Sequence, residues 1–215
     1  VVMVACTAPV WGQGMPWMFY DDFETGDTSG WWAPARVGKT GQATCYDEDG
    51  TVIACAGTGQ DGDLRPGVAW PTPRFVDNGD GTVTDMLTGL VWLKNADCFG
   101  KKTWVGALAD ANGLGSGACG LTDGSVAGDW RLPTRFELES LLDLEYTHRA
   151  LSNAAGTGQW TEGDAFSGVR STYYWSSSSH SYNSQNAYSV YLYDGSVTAY
   201  SKFNTDCVWP VRAGQ

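Results

Sequence analysis

Two histidines, six cysteines and a scatter of carboxylates are the residues of this 215-residue sequence whose types could do chemistry. Histidine titrates near neutrality and is the usual general base. His148 lies just past an expected helix, and His180 lies in a run of serines and tyrosines. A Ser-His-Asp relay needs a histidine fixed by packing; both histidines read instead as exposed polar side chains. Glu162 and Asp164 are a carboxylate pair of the kind glycoside hydrolysis uses, yet they share a Gly-rich loop, and sequence sets no spacing across a cleft. Asp77-Asn78-Gly79-Asp80-Gly81 invites a calcium reading, but a calcium loop needs oxygen ligands where Gly79 and Gly81 stand, so a turn is expected. Catalysis is the lesser reading, and no cofactor or metal is expected.

The cysteines are Cys6, Cys45, Cys55, Cys98, Cys119 and Cys207. None forms a C-x-x-C pair, which argues against zinc. Cys45 and Cys55 flank the turn-like Asp47-Glu48-Asp49-Gly50, so a disulfide there would close a short hairpin; Cys98 and Cys119 flank an expected helix and form the second pair. Cys207 is left over, either free or in place of one of these pairings. Disulfides imply an oxidising compartment. Val1-Val2-Met3-Val4-Ala5-Cys6 is apolar and is expected to be the tail of a signal peptide. Ala5-Cys6 resembles a bacterial lipobox with Cys6 as the lipidated residue, the competing site of cleavage being near Gly12-Gln13. Either way the product is exported, with membrane contact only through such a lipid.

The chemistry best represented is that of contact. Of the 36 residues from Ser171 to Asp206, 23 are Ser, Tyr, Asn or Thr, and seven of the chain's ten tyrosines fall there. Disordered segments are poor in aromatics. Binding loops favour this mixture, because tyrosine gives rigid amphipathic area while serine and asparagine give adaptable hydrogen bonds. The alternation separates apolar anchors (Ala187, Val190, Leu192, Gly195, Val197) from candidate contact residues: Ser179, His180, Tyr182, Asn183, Asn186, Tyr188, Tyr191, Tyr193, Thr198, Tyr200, Asn204 and Asp206. On a strand Tyr191 and Tyr193 share a face opposite Val190 and Leu192. A net charge of −11 argues against nucleic acid, whose phosphates need clustered Lys and Arg.

The elements that must hold this segment are legible upstream. Residues 1–14 are the export segment and 15–73 a linker carrying the disulfide hairpin, with Asp21, Asp22, Glu24 and Asp27 as solvated acids and Gly57 to Asp63 as a loop. The main domain spans 74–215, Pro71 and Pro73 marking its start. Arg74-Phe75-Val76 and Thr82-Val83-Thr84 flank Asn-Gly and Asp-Gly, a hairpin signal, and Leu90-Val91-Trp92-Leu93 reads as a buried strand. Trp104, Leu108 and Ala111 give the apolar stripe of a first helix over 103–111, stopped by Gly113 and Gly115. Thr134-Arg135-Phe136-Glu137 is a capping box opening a second helix. Its buried face is Leu138, Leu141 and Leu142, with Glu139, Asp143 and Glu145 on wet faces. Arg131 is expected in a structural ion pair with that acidic helix.

These motifs occur in a recognisable order: Arg74-Phe75 through Gly81-Thr82-Val83-Thr84-Asp85, Leu87-Thr88-Gly89-Leu90-Val91-Trp92, Thr103-Trp104, Asp129-Trp130-Arg131-Leu132-Pro133-Thr134, Glu137-Leu138, Tyr174-Trp175-Ser176-Ser177 and Val208-Trp209-Pro210-Val211-Arg212. The series resembles the Lcl C-terminal domain family. That resemblance implies an α+β, C-type-lectin-like fold: two helices packed on a small twisted antiparallel sheet, with long irregular loops. It also implies that 171–212 is similar to a variable region of the kind diversity-generating retroelements rewrite. The Glu-Pro-Asn or Gln-Pro-Asp motif of calcium-dependent sugar sites is missing from the sequence. The reading is therefore an exported, surface-displayed adhesin or receptor for a protein or glycan ligand. The alternatives are an enzyme on the related formylglycine-generating-enzyme-like fold, or a self-assembling surface protein; an oligomer is compatible with each.

Overall fold

The computed structural model describes residues 37–214. The export segment with Cys6, and the acids Asp21, Asp22, Glu24 and Asp27, lie outside the described residues. The fold is α+β, built from antiparallel sheets and few, short helices. In chain order the strands are β1 (Cys45–Tyr46), β2 (Val52–Ile53), β3 (Phe75–Asp77), β4 (Thr82–Asp85), β5 (Leu90–Leu93), β6 (Lys101–Thr103), β7 (Tyr173–Ser179), β8 (Asn186–Tyr191), β9 (Val197–Ser201), β10 (Thr205–Cys207) and β11 (Val211–Ala213). The helices are α1 (Asp61–Leu64), α2 (Trp104–Asn112) and α3 (Arg135–Ser140).

In place of one small sheet there are two larger ones and a short hairpin, ordered β6-β10-β7-β8-β9, β11-β5-β4-β3 and β1-β2. All pairings are antiparallel except that of β10 with β7, where Cys207 faces Tyr174. The β3–β4 hairpin turns through Gly79 and Gly81 at φ 76° and 86°, a conformation that glycine adopts without steric penalty. Both disulfides expected from spacing are formed, Cys45–Cys55 and Cys98–Cys119, and Cys207 is free and buried.

Aromatic side chains join the two large sheets. Trp209, fully buried between β10 and β11, meets Trp92 of β5 and Phe166 edge-on at 5.6 and 5.0 Å, and Tyr174 of β7 at 5.5 Å. Its indole N–H donates to the Leu93 carbonyl at 2.8 Å, satisfying the one polar atom this burial desolvates. A second cluster forms under α2, where Ala107 and Ala111 meet Trp175, Ala187, Leu132 and Val208, with Trp104 and Leu108 partly buried at its rim. The apolar stripe read from the sequence is therefore present, rotated so that the two alanines take the deepest positions.

The second helix is capped as expected, with Thr134 accepting from the Glu137 amide and Glu137 accepting from the Thr134 amide. Glu137 also takes a bidentate pair from Arg131 at 2.6 and 2.7 Å, the ion pair anticipated for that arginine. The helix stops at Ser140, and this corrects one expectation. Asp143 and Glu145 do not lie on a wet helical face. Asp143 is buried, and Glu145 accepts from the Ala43 and Thr44 amides at 2.7 and 3.0 Å. Residues 37–73, expected as a linker, thus lie along the domain. The loop expected at 57–63 closes with the single turn α1, and Asp63 accepts from the Gly57 and Gly59 amides.

Arg74 stands at this junction. Its guanidinium is fully buried, 3.8 Å from the buried Asp85 carboxylate, and it donates to the Ser140 carbonyl. The Trp70 ring lies 4.1 Å from its charged carbon and the Phe75 ring 4.7 Å. Burial pushes the Asp85 carboxyl up and the Arg74 guanidinium down, and their mutual attraction opposes both shifts. Asp143 feels the same cation from further away, but burial prevails and its carboxyl is pushed up to about 6. Gly41 is required beside it, since a side-chain carbon there would lie 2.1 Å from the Asp143 carboxylate.

A folded pKa raised above the ordinary 3.8 means the native state holds a proton that the unfolded chain has released. The Asp143 contribution to stability is therefore complete below that ordinary value and is lost as pH rises through about 6. Urea unfolding of wild type and Asp143→Asn from acid to neutral pH checks this. Wild type should lose stability relative to the variant as pH rises through the window, whereas a constant difference between them contradicts the assignment.

Candidate ligand-binding face

The segment from Ser171 to Arg212 supplies four of the five strands of the larger sheet, and its side chains divide by the strand period of two. Registers β7–β8 and β8–β9 set Tyr173 opposite Tyr191, Trp175 opposite Ser189, Ser189 opposite Thr198 and Ala187 opposite Tyr200, so these residues share a face. At one end of that face Trp175 and Ala187 lie beneath α2. Tyrosines fill the rest of the face, from Tyr200 opposite Ala187 to Tyr173 and Tyr191 at the far end. Tyr173 stacks on Tyr191 at 4.2 Å and 13° between planes, Tyr191 stacks on Tyr193 at 5.5 Å and 17°, and Tyr200 meets Tyr173 edge-on at 4.8 Å. The shared face expected of Tyr191 and Tyr193 is thereby present. Ser189 between β7 and β9 is small enough to leave room for Tyr173 and Tyr200 to reach each other across β8.

His148 extends this aromatic row. Its ring lies 4.5 Å from that of Tyr193, with Nε2 3.2 Å from the Tyr193 hydroxyl, and its backbone N–H donates to the Tyr193 carbonyl at 2.6 Å. Beside the tyrosines opens a shallow cavity of about 390 Å³ lined by Tyr173, Tyr200, Phe203, Asn204, Thr205 and Asp206. Phe203 at its rim is 86% exposed, an apolar ring held in water by the β9–β10 connection.

Not all twelve candidate residues belong here. Asn186 and Tyr188 point to the opposite face, where α3 packs. The Arg135 guanidinium lies 4.9 Å from the Tyr188 ring, and the His180 ring lies 5.2 Å from it. His180 is further occupied by the Asn183 amide, which donates to Nδ1 at 3.1 Å. Ser179, Tyr182 and Asn183 form an exposed tip between β7 and β8, Tyr182 being almost wholly in water. Lys202 bridges this tip to α2: its ammonium donates to the Ser179 hydroxyl at 2.7 Å and lies 4.0 Å from the Trp104 ring.

Asp206 departs most from expectation. It is buried and accepts from the Ser189 hydroxyl at 2.7 Å, which makes it part of the floor. Burial pushes its carboxyl up, and the serine and nearby Lys101 oppose the shift. Tyr173, His148 and Phe203 are the residues that composition alone missed. The signal for Tyr173 lay in register, since any pairing that puts Tyr174 inward against Val190 brings Tyr173 beside Tyr191.

Cys207 lies behind this face, its sulfur 4.0 Å from Asp97. Burial and that carboxylate push its thiol up to about 11, far from the thiolate a nucleophile needs. Glu162, one member of the carboxylate pair, accepts from the Gly168 amide at 2.9 Å and serves to close its own loop.

The sheet thus carries replaceable surface residues above a fixed floor, and stability measurements separate the two. Ser189→Ala leaves the Asp206 carboxylate without its partner in a buried site and should lower unfolding free energy by about 1–3 kcal/mol. Thr198→Ala, on the same face but half-exposed, should stay within about 0.5 kcal/mol. Equal effects in denaturant unfolding would contradict the division.

Among known proteins, a family model described as the Lcl C-terminal domain matches residues 81–212, from the β3–β4 turn to the first half of β11. No curated protein matches the chain.

Proposed function

The chain belongs to the Lcl C-terminal domain family, and from that premise we propose that it is an exported, surface-displayed binding protein. Its contact face is the tyrosine row of β7, β8 and β9 with the cavity beside it, and the ligand is a protein or a glycan. The single observation that carries this reading is the side-by-side array Tyr173–Tyr191–Tyr193, half-exposed, with Tyr200 and Phe203 at its edge. Stacked tyrosines of a core would be fully buried; each of these rings keeps part of its surface in water. Rigid aromatic area of this kind binds with little loss of side-chain freedom, while the hydroxyls and Asn204 supply hydrogen bonds. The family resemblance adds the finer statement that the two sheets and helices α2 and α3 compose a C-type-lectin-like scaffold. The buried, raised Cys207 thiol supports binding over formylglycine-type catalysis, which uses reactive cysteines.

The test is a binding screen against an array of glycans and a panel of extracellular proteins, followed by substitution. Tyr191→Ala and Tyr200→Ala should each weaken a captured ligand about tenfold, as loss of a buried aromatic contact does. Tyr188→Ala on the opposite face should leave it unchanged. A ligand indifferent to Tyr191 and Tyr200 contradicts the assignment of this face.

We further propose that the segment is diversified by a retroelement. Apart from Gln185 and Phe203 its exposed positions are Ser, Tyr, Asn, Thr and Asp, among the outcomes of adenine-directed mutagenesis, and they stand over an apolar frame of Ala187, Val190 and Leu192 that is fully buried. The expected finding is a near-copy of the DNA encoding residues 174–212 beside a reverse-transcriptase gene, with differences confined to adenines. A complete genome without such a copy refutes the proposal.

A further inference from the structure

β9 is the edge of the five-stranded sheet, with β8 its sole neighbour among the described residues. The Tyr191 amide donates to the Ser196 carbonyl at 2.8 Å and the Lys202 amide to the Gln185 carbonyl at 2.9 Å, which fixes the bonded pairs at the two ends of the β8–β9 ladder. Antiparallel ladders alternate bonded and non-bonded pairs. Thr198 and Tyr200 therefore bond inward to β8, while Val197, Ala199 and Ser201 turn their N–H and C=O groups outward. Natural edges are usually blunted by a lysine, a proline or a bulge. Val197-Thr198-Ala199-Tyr200-Ser201 contains none of these and pairs with β8 in unbroken register.

We infer that this edge pairs with β9 of a second copy of the chain, antiparallel about a two-fold axis at Ala199. The strand is self-complementary about that point. Ala199 is small where the axis passes, Val197 falls opposite Ser201, and Thr198 falls opposite Tyr200. No charge lies within β9, so no like charges meet across the paired strands. In this register Lys202 of one copy falls opposite Ser196 of the other, its ammonium held on Ser179 and the Trp104 ring of its own copy and so off the axis. An axis perpendicular to the sheet joins the two sheets into ten strands and sets both tyrosine faces on the same side. This edge is distinct from the tyrosine face, so the dimer stands or falls independently of the ligand.

Sedimentation velocity of the full chain over a concentration series is the test. The 23.1 kDa monomer should give way to a species of twice that mass. Ala199→Pro removes an outward donor without touching the β8 ladder and should weaken association by about tenfold or more. Should that variant fail to fold, cross-linking decides the matter. Ala199→Cys brings two thiols to the axis, where paired strands sit within disulfide reach. Under mild oxidation it should form a covalent dimer far faster than Ser184→Cys, an exposed control on the β7–β8 tip. A wild type that stays monomeric throughout the series, or equal cross-linking of the two cysteine variants, overturns the proposal. So does association that Ala199→Pro leaves unchanged.

Discussion

The Trp209 indole is the contact on which the rest of the architecture depends. It sits where β10 of one sheet passes into β11 of the other, so a single residue's position fixes the relation between both sheets. Its ring edges meet Trp92, Phe166 and Tyr174, and its N–H is held by Leu93. Aromatic pairs of this kind contribute about 0.5–1.5 kcal/mol each beyond the area they bury. Because Tyr174 opens the tyrosine-rich segment and Trp209 closes it, their contact at 5.5 Å ties the segment's two ends to one point in the core. What lies between is a loop closed in space, and its surface residues can change without disturbing that closure.

Arg74 performs the corresponding service where residues 37–73 meet the sheets, at greater energetic risk. A buried charge pair is a weak source of net stability, but removing one member leaves an uncompensated charge at about 3–5 kcal/mol. Trp70, Asp85, and the Ser140 carbonyl together with Asp143 surround the guanidinium from three separate stretches of chain. Such an arrangement specifies where those stretches meet.

Local chemistry was legible in the sequence wherever it was sufficient to decide the outcome. Thr134 and Glu137 are three residues apart and cap each other regardless of what else the fold does. The same holds for the Asn-Gly and Asp-Gly turn between β3 and β4, and for the two disulfides that close short loops. Asp143 shows where such reasoning ends. A carboxylate three residues past the end of a helix reads as solvated unless one knows that residues 37–73 return to cover it, with Gly41 against Asp143 across about a hundred residues of chain. Asp206 was misplaced for a related reason. Composition sorts residue types, but the β10–β7 pairing decides whether a polar side chain belongs to the floor or the surface. The division of the candidate residues between two faces followed from strand parity, which single residues do not reveal until the ends of β8 are known.

The Arg74 junction has a bearing on how such a protein is inherited. The family segment begins at residue 81, yet Arg74, Phe75, Trp70 and the stretch around Ala43 that Glu145 holds all precede it. Recombination that carried only residues 81–212 into another gene would strip β3 from its sheet and leave Asp85 buried without its cation. The unit that can be shuffled between proteins is therefore longer than the unit that sequence similarity outlines, reaching back at least to the glycine at position 41.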